Sequence, residues 1–229
     1  MYSNSNTRMP ITKVSNELTN KSLFNMILIV LLIMVALFFI SWAYDRLTDC
    51  IENVSSDIDG KKYHVRDQGT DNNKKEAANH LASISVKVKL LIDYMVKNNL
   101  PDNISANRLQ TRWKDCKFRE TSKHEDTAAY TVNKSDEMRI CIRDRNDGIL
   151  NINTSTFVVL HELAHMMSVS YGHNDEFKSS FNYLVHLASA LGIYKPEDFD
   201  SNPVDYCGVE INTSPCSNNT CEYTSIPLI

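Results

Sequence analysis

At 229 residues and 26.1 kDa, the chain has room for one compact domain plus appendages. Its 42% hydrophobic and 23% charged residues are ordinary globular values, which exclude wholesale disorder, a collagen-like repeat and a many-pass membrane protein. A formal charge of −4 gives it no overall electrostatic pull toward nucleic acid.

Residues 1–21 are polar and rich in Ser, Asn and Thr, and they read as a short disordered cytoplasmic tail. From Leu23 to Tyr44 the apolar run is interrupted only by Asn25 and Ser41, and Trp42 and Tyr44 stand where an interfacial aromatic belt belongs. A bilayer core takes about 20 apolar residues as a helix, so residues 22–44 are predicted to be a transmembrane anchor. The run is longer than the apolar part of a cleaved signal peptide and, unlike a buried core helix, is apolar on every face. Arg8, Lys13 and Lys21 precede it, while Asp45, Arg46, Asp49 and Glu52 follow. That bias predicts a cytoplasmic N-terminus and a lumenal or external C-terminal domain. All six cysteines (Cys50, Cys116, Cys141, Cys207, Cys216 and Cys221) follow the span, as three disulfides in an oxidising compartment would require. After the span, six N-x-S/T sequons, beginning at Asn53, Asn103, Asn133, Asn153, Asn212 and Asn218, agree with that side.

Residues 45–72 carry charge, Gly and Asn without periodicity and are read as a stalk or linker. Ala77, Leu81, Ile84, Val88, Leu91 and Met95 then recur at helical spacing, predicting a helix over 73–98. A shorter helix capped by Ser105 is predicted over 105–114. Residues 128–132 and 137–143 read as the two strands of a hairpin around a turn-rich Asn133–Asp136. A helix over 156–171, capped by Thr154 or Ser155, ends before Gly172. The next runs over 174–191, capped by Asn174 or Asp175, with Phe177, Phe181, Leu184, Val185 and Ala188 on its apolar face. The fold class is therefore α+β, with a domain over 73–194. Residues 195–229 form an irregular, cysteine-containing segment packed on that domain.

The chemistry concentrates in His161-Glu162-Leu163-Ala164-His165. Histidines at i and i+4 share one helix face, so both imidazoles can reach one ion. Zinc suits that donor type and lowers the pKa of bound water, and Glu162 stands beside the first histidine as a general base. Apolar Val158, Val159, Leu160, Leu163, Met166 and Met167 surround the motif. A catalytic zinc needs a third protein ligand. His173 is best placed, since Gly172 lets the chain turn back, and Asp175, Glu176 and His186 compete. Tyr171, Tyr194 and Tyr206 are candidates for stabilising an oxyanion. His64, His80 and His124 lie in polar surroundings and receive no role.

The two pieces His161–Met167 and Gly172–Phe177 resemble the signature of the WSS1/SprT-like (WLM-type) zinc metallopeptidases. The resemblance covers about residues 137–191. It implies a small α+β minigluzincin-like metallopeptidase domain holding one catalytic Zn2+ on His161, His165 and His173. It further implies Glu162 as general base, Phe177 as a packing residue, and an antiparallel edge strand above the metal. Such a strand can hold an extended peptide by β-augmentation. Many members of that group act on DNA-crosslinked proteins through basic tails. Beyond residue 44 this chain has 21 basic against 27 acidic residues and no such tail, so no nucleic-acid partner is expected. An anchored version resembles proteins of large DNA viruses, implying a virion or host membrane. The sequence is thus read as a single-pass membrane zinc metallopeptidase acting on a protein or peptide substrate. The alternative is a catalytically inactive structural or binding membrane (virion) protein on the same scaffold. A DNA-linked repair protease is a lesser reading, opposed by the anchor and the acidic balance.

Overall fold

The structure, a computed structural model, describes residues 11–48, 51–123, 125, 127–144 and 146–215. The fold is α+β, as the sequence predicts: the described residues form five helices and short, mostly antiparallel sheets. Two compact units meet in sequence at residues 49 and 50.

The first unit is helix α1 (Ile11–Thr48). Its stretch Leu23–Ala43 is long and apolar enough to cross a membrane, and none of it is buried within the protein. At 1.5 Å per residue, 21 residues span about 31 Å, the thickness of a hydrocarbon core. The helix begins well before the anchor limit read from sequence. Once a long apolar segment has nucleated a helix, adding polar residues such as those of 11–21 costs little. The rest of the tail, residues 1–10, lies outside the described residues.

The second unit opens with a correction. Residues read as a stalk hold an antiparallel hairpin, β1 (Ile51–Ser55) and β2 (Lys62–Arg66), in the register Ile51↔Arg66 to Ser55↔Lys62. Tyr63 and Val65 are buried, so β2 belongs to the core rather than to a linker. Its last residue, Arg66, joins a wholly internal charge cluster. Glu120 accepts two hydrogen bonds from the Arg143 guanidinium, from Nε and Nη2, both 2.8 Å. It also accepts one from the Arg66 backbone N–H at 2.8 Å. The Arg66 side chain donates to Thr121 O at 3.0 Å and Arg143 O at 3.2 Å. Glu120 and Arg143 are 0% exposed and Arg66 4%.

Helix α2 (Asp71–Asn98) starts where Thr70 Oγ1 accepts the Asn73 N–H. All six residues of its predicted stripe are buried. Helix α3 (Asn103–Asp115) is capped by Asp102, whose carboxylate accepts the Ser105 N–H, so the cap lies three residues before the one read from sequence. A three-stranded sheet follows: β3 (Lys117–Glu120), β4 (Ala129–Val132) and β5 (Glu137–Ile140). The order is β3-β5-β4, with β5 parallel to β3 and antiparallel to β4, which leaves β4 on the edge. The predicted hairpin is therefore β4–β5, but β5 ends at Ile140, because beyond it Arg143 turns inward to Glu120.

Helix α4 (Ile152–Met167) is capped by Asn151, which accepts the N–H groups of Asn153 and Thr154. Thr154 and Ser155 lie inside it, so the predicted helix is shifted back by one turn. Helix α5 (Asp175–Ala190) starts at Asn174, whose side chain accepts the Phe177 N–H. Strands β6 (Val204–Tyr206) and β7 (Val209–Ile211) form a hairpin within the segment read as irregular. A disulfide, Cys141–Cys207, ties that hairpin to the end of β5. Of the three disulfides expected, the described residues hold this one; Cys116 has no disulfide partner among them, and Cys50, Cys216 and Cys221 lie outside the described residues.

Candidate metal centre

At 3.6 residues per turn, His161 and His165 stand one above the other on α4. The rest of that helix is committed to the core through Val159, Leu160, Leu163 and Met166, which fixes the rotation of the histidine face. The chain leaves α4 at Ser168 and returns through Gly172 at φ +82°. A Cβ there would meet nothing within 4 Å, so the left-handed backbone, not crowding, calls for glycine. The return delivers His173. Its Nε2 lies 3.0 Å from His161 Nε2 and 3.2 Å from His165 Nε2, and the three ligand atoms all lie within 4.8 Å of one another.

Phe177 forms the wall behind the imidazoles, stacked on His165 with ring centroids 4.2 Å apart and edge-on to His161 and His173. Burial, then the neighbouring histidines, pushes His161 down to about 4. Burial, then His173 and Lys134, does the same to His165. Both imidazoles are neutral at pH 7, the form that ligates metal. Glu162, next to the first histidine, is buried at 7% exposed. Its Oε2 accepts a hydrogen bond from Thr131 Oγ1 on the edge strand β4 at 2.8 Å. Burial raises the carboxyl above its ordinary range, and the Thr131 bond opposes that.

The donor set fits a zinc ion. Tetrahedral zinc with Zn–N of about 2.0–2.1 Å holds its ligand nitrogens about 3.3 Å apart, close to the two separations observed. Both short contacts also share His173 Nε2, which has one proton or one lone pair to offer. Hydrogen bonding alone therefore serves the cluster poorly, whereas a cation uses all three lone pairs.

The competing ligands lie elsewhere. Glu176 accepts the N–H groups of Val169 at 2.7 Å and Ser170 at 2.9 Å and also the Ser170 hydroxyl, which hold its carboxyl down to about 2. Asp175 is exposed in the first turn of α5. His186 is buried with Nδ1 2.6 Å from Asn182 O. Of the three tyrosines, Tyr206 is internal and bonded to Cys141 O and Ser155 Oγ. Tyr194 is buried and accepts the Glu197 N–H through its hydroxyl. Tyr171 is 79% exposed on the return loop. His80, read as lying in polar surroundings, is buried with Nε2 3.1 Å from Ser155 Oγ, because it shares a helix face with Ala77 and Ile84. His64 is half-buried on β2, and His124 lies outside the described residues.

Sequence reasoning did not find Thr131 or Lys134, which meet the site across 31 and 34 or more residues and carry no periodic signal. An open groove of about 860 Å³ between β2, α2, α3 and the start of β3 is lined by none of the site residues.

No family model matches the chain. It is 33% identical over 168 residues to uncharacterized protein R325 of Acanthamoeba polyphaga mimivirus, a match covering 69% of this chain and 81% of that one. The chain belongs to the R325 family. Uncharacterized protein 042R of Invertebrate iridescent virus 3 is 42% identical over 73 residues, covering 31% of this chain and 45% of that one. Uncharacterized protein 136R of Invertebrate iridescent virus 6 is 37% identical over 73 residues, covering 31% and 40%. Among solved structures, Wss1 from Saccharomyces cerevisiae aligns with a TM-score of 0.39 and 20% identity, over 52% of this chain and 84% of that one.

Proposed function

We propose that this protein is a membrane-anchored zinc metallopeptidase that hydrolyses peptide bonds, held by residues 22–44 with its N-terminus cytoplasmic and its catalytic domain lumenal or external, in a virion or host membrane. The observation that carries the reading is the convergence of His161, His165 and His173 beside a buried Glu162. A zinc ion on those three imidazoles supplies Lewis acidity toward a carbonyl and a water of lowered pKa. Glu162 serves as general base. Its Oε2 is engaged by Thr131, so Oε1 takes the proton from the attacking water and returns it to the leaving amine. Its raised pKa brings the carboxyl closer to neutrality, where it can both accept and donate. Edge strand β4 offers an extended substrate unpaired backbone groups alongside α4. Phe177 and the buried face of α4 keep water from the back of the cluster.

The test is made on the full chain in detergent micelles. About one zinc per chain is expected, lost in His161→Ala. Glu162→Gln is expected to keep the zinc and lose about 10²–10⁴-fold in hydrolysis of an unfolded protein substrate. Zinc retained with no hydrolysis by the parent would favour the inactive structural or binding reading. No zinc in folded protein would remove the metallopeptidase reading.

A further inference from the structure

The loop that carries His173 has little apolar packing of its own. Val169 is 62% exposed, and 171–176 are all exposed. Yet it must hold one imidazole to within a few tenths of an ångström. Its backbone is gripped instead by two opposite charges. From one side, the Glu176 carboxylate takes the N–H groups of Val169 and Ser170. From the other, Lys134 Nζ donates to three consecutive carbonyls: Ser168 at 2.9 Å, Val169 at 2.8 Å and Ser170 at 2.6 Å. All three ammonium protons are used. Lys134 is 8% exposed, and its Nζ also lies 4.2 Å from the Tyr171 ring centroid. Arg112 and Arg108 take the neighbouring carbonyls at the end of α4, from Ser168 and Met166 and from Met167. Three carbonyl dipoles aimed at one point repel unless a cation sits there, so the loop path from 168 to 170 depends on the ammonium.

We propose that Lys134 is the positioning residue for the third metal ligand, fixing the 168–170 backbone so that His173 arrives at ligand distance. The inference rests on the zinc reading above. Lys134 sits in the β4–β5 turn at φ +64°, just beyond the strand whose Thr131 holds Glu162. One hairpin thus sets both the base and the third imidazole. The pairing explains why a lysine occupies a left-handed turn position that glycine or asparagine fills at less cost.

The experiment measures zinc affinity of the full chain in micelles by competition with a chromophoric chelator. Lys134→Met keeps the apolar stem and removes the cation. Its zinc Kd is expected to rise about 10–100-fold, the usual effect of losing a partner that orients a ligand. In a His173→Ala background the same substitution is expected to change Kd less than about twofold, because the effect acts through His173. A merely structural lysine would lower the thermal midpoint of the metal-free protein and leave the cycle additive. A Kd within about twofold of the parent, or an equal loss in both backgrounds, overturns the proposal. If Lys134→Met does not fold, Lys134→Arg is read the same way, since a planar fork cannot aim three protons at three adjacent carbonyls. A parent chain that binds no zinc sinks the zinc reading and this one with it. A parent that binds zinc beside an unaffected variant sinks this one alone.

Discussion

Acid should loosen this fold through His80. The ring is 7% exposed on α2, with Nε2 3.1 Å from Ser155 Oγ on α4, and Ser155 Oγ in turn lies 3.0 Å from the Tyr206 hydroxyl on β6. Burial, with Lys87 as a lesser cause, pushes His80 down to about 4 from an ordinary 6.5. The unfolded chain therefore takes up this proton more readily than the folded one. Stability is unaffected above pH 6.5, falls as pH drops below it, and has lost its full share once pH passes below about 4. That share is about 3 kcal/mol, of which about 2 kcal/mol is gone by pH 5. Urea unfolding followed by circular dichroism, with chelator present, measures it in the parent and in His80→Gln. The neutral histidines of the metal cluster titrate in both proteins and cancel in the difference. Between pH 7.5 and 5 the parent is expected to lose about 2 kcal/mol more than the variant. Parallel pH dependences would refute the burial argument.

Three further outcomes are expected. Glu120→Gln leaves two internal guanidinium groups without their carboxylate and is expected to cost about 3–5 kcal/mol, and an unchanged urea midpoint would contradict the cluster's charge state. Reducing Cys141–Cys207 opens a loop of 66 residues and is expected to cost up to about 4 kcal/mol, with Cys141→Ser/Cys207→Ser insensitive to reductant; equal unfolding midpoints with and without reductant in the parent would count against it. Thr131→Val removes a bond that favours the ionised Glu162, so its carboxyl rises further and the acid limb of hydrolysis moves up by at most about 1 pH unit. A limb that stays put, with zinc content unchanged, would show that the hydroxyl does not tune the base.

Much of the helical part could be read from residues because their burial is periodic. The six-residue stripe of α2 and the HELAH register of α4 follow directly from 3.6 residues per turn. His80 was within reach of the same logic, three residues from Ala77 and four from Ile84, but its polar sequence neighbours hid the face it shares. The β1–β2 hairpin and β3 were missed for another reason. Arg66, Glu120 and Arg143 read as solvent residues one at a time, and only their convergence makes them core. Helix starts slipped by a turn where several capping residues were available, Asp102 near Ser105 and Asn151 near Thr154. The histidine cluster was legible because two of its members share a helix and the third follows a glycine. Lys134 was not, since nothing in a turn lysine tells which carbonyls it will find.

The Cys141–Cys207 bond closes around α4, the return loop and α5, so every candidate ligand and the base lie inside one covalent ring. Among the described residues of that ring, 171–176 form the longest exposed run, the place where a protease would first cut. A cut there separates no mass. The piece bearing α1 keeps Cys141 and the other keeps Cys207, so the clipped chain runs at full size on a gel until a reductant is added. Nicking in place is then distinct from shedding, and the bond keeps a severed C-terminal half attached to the piece that carries α1.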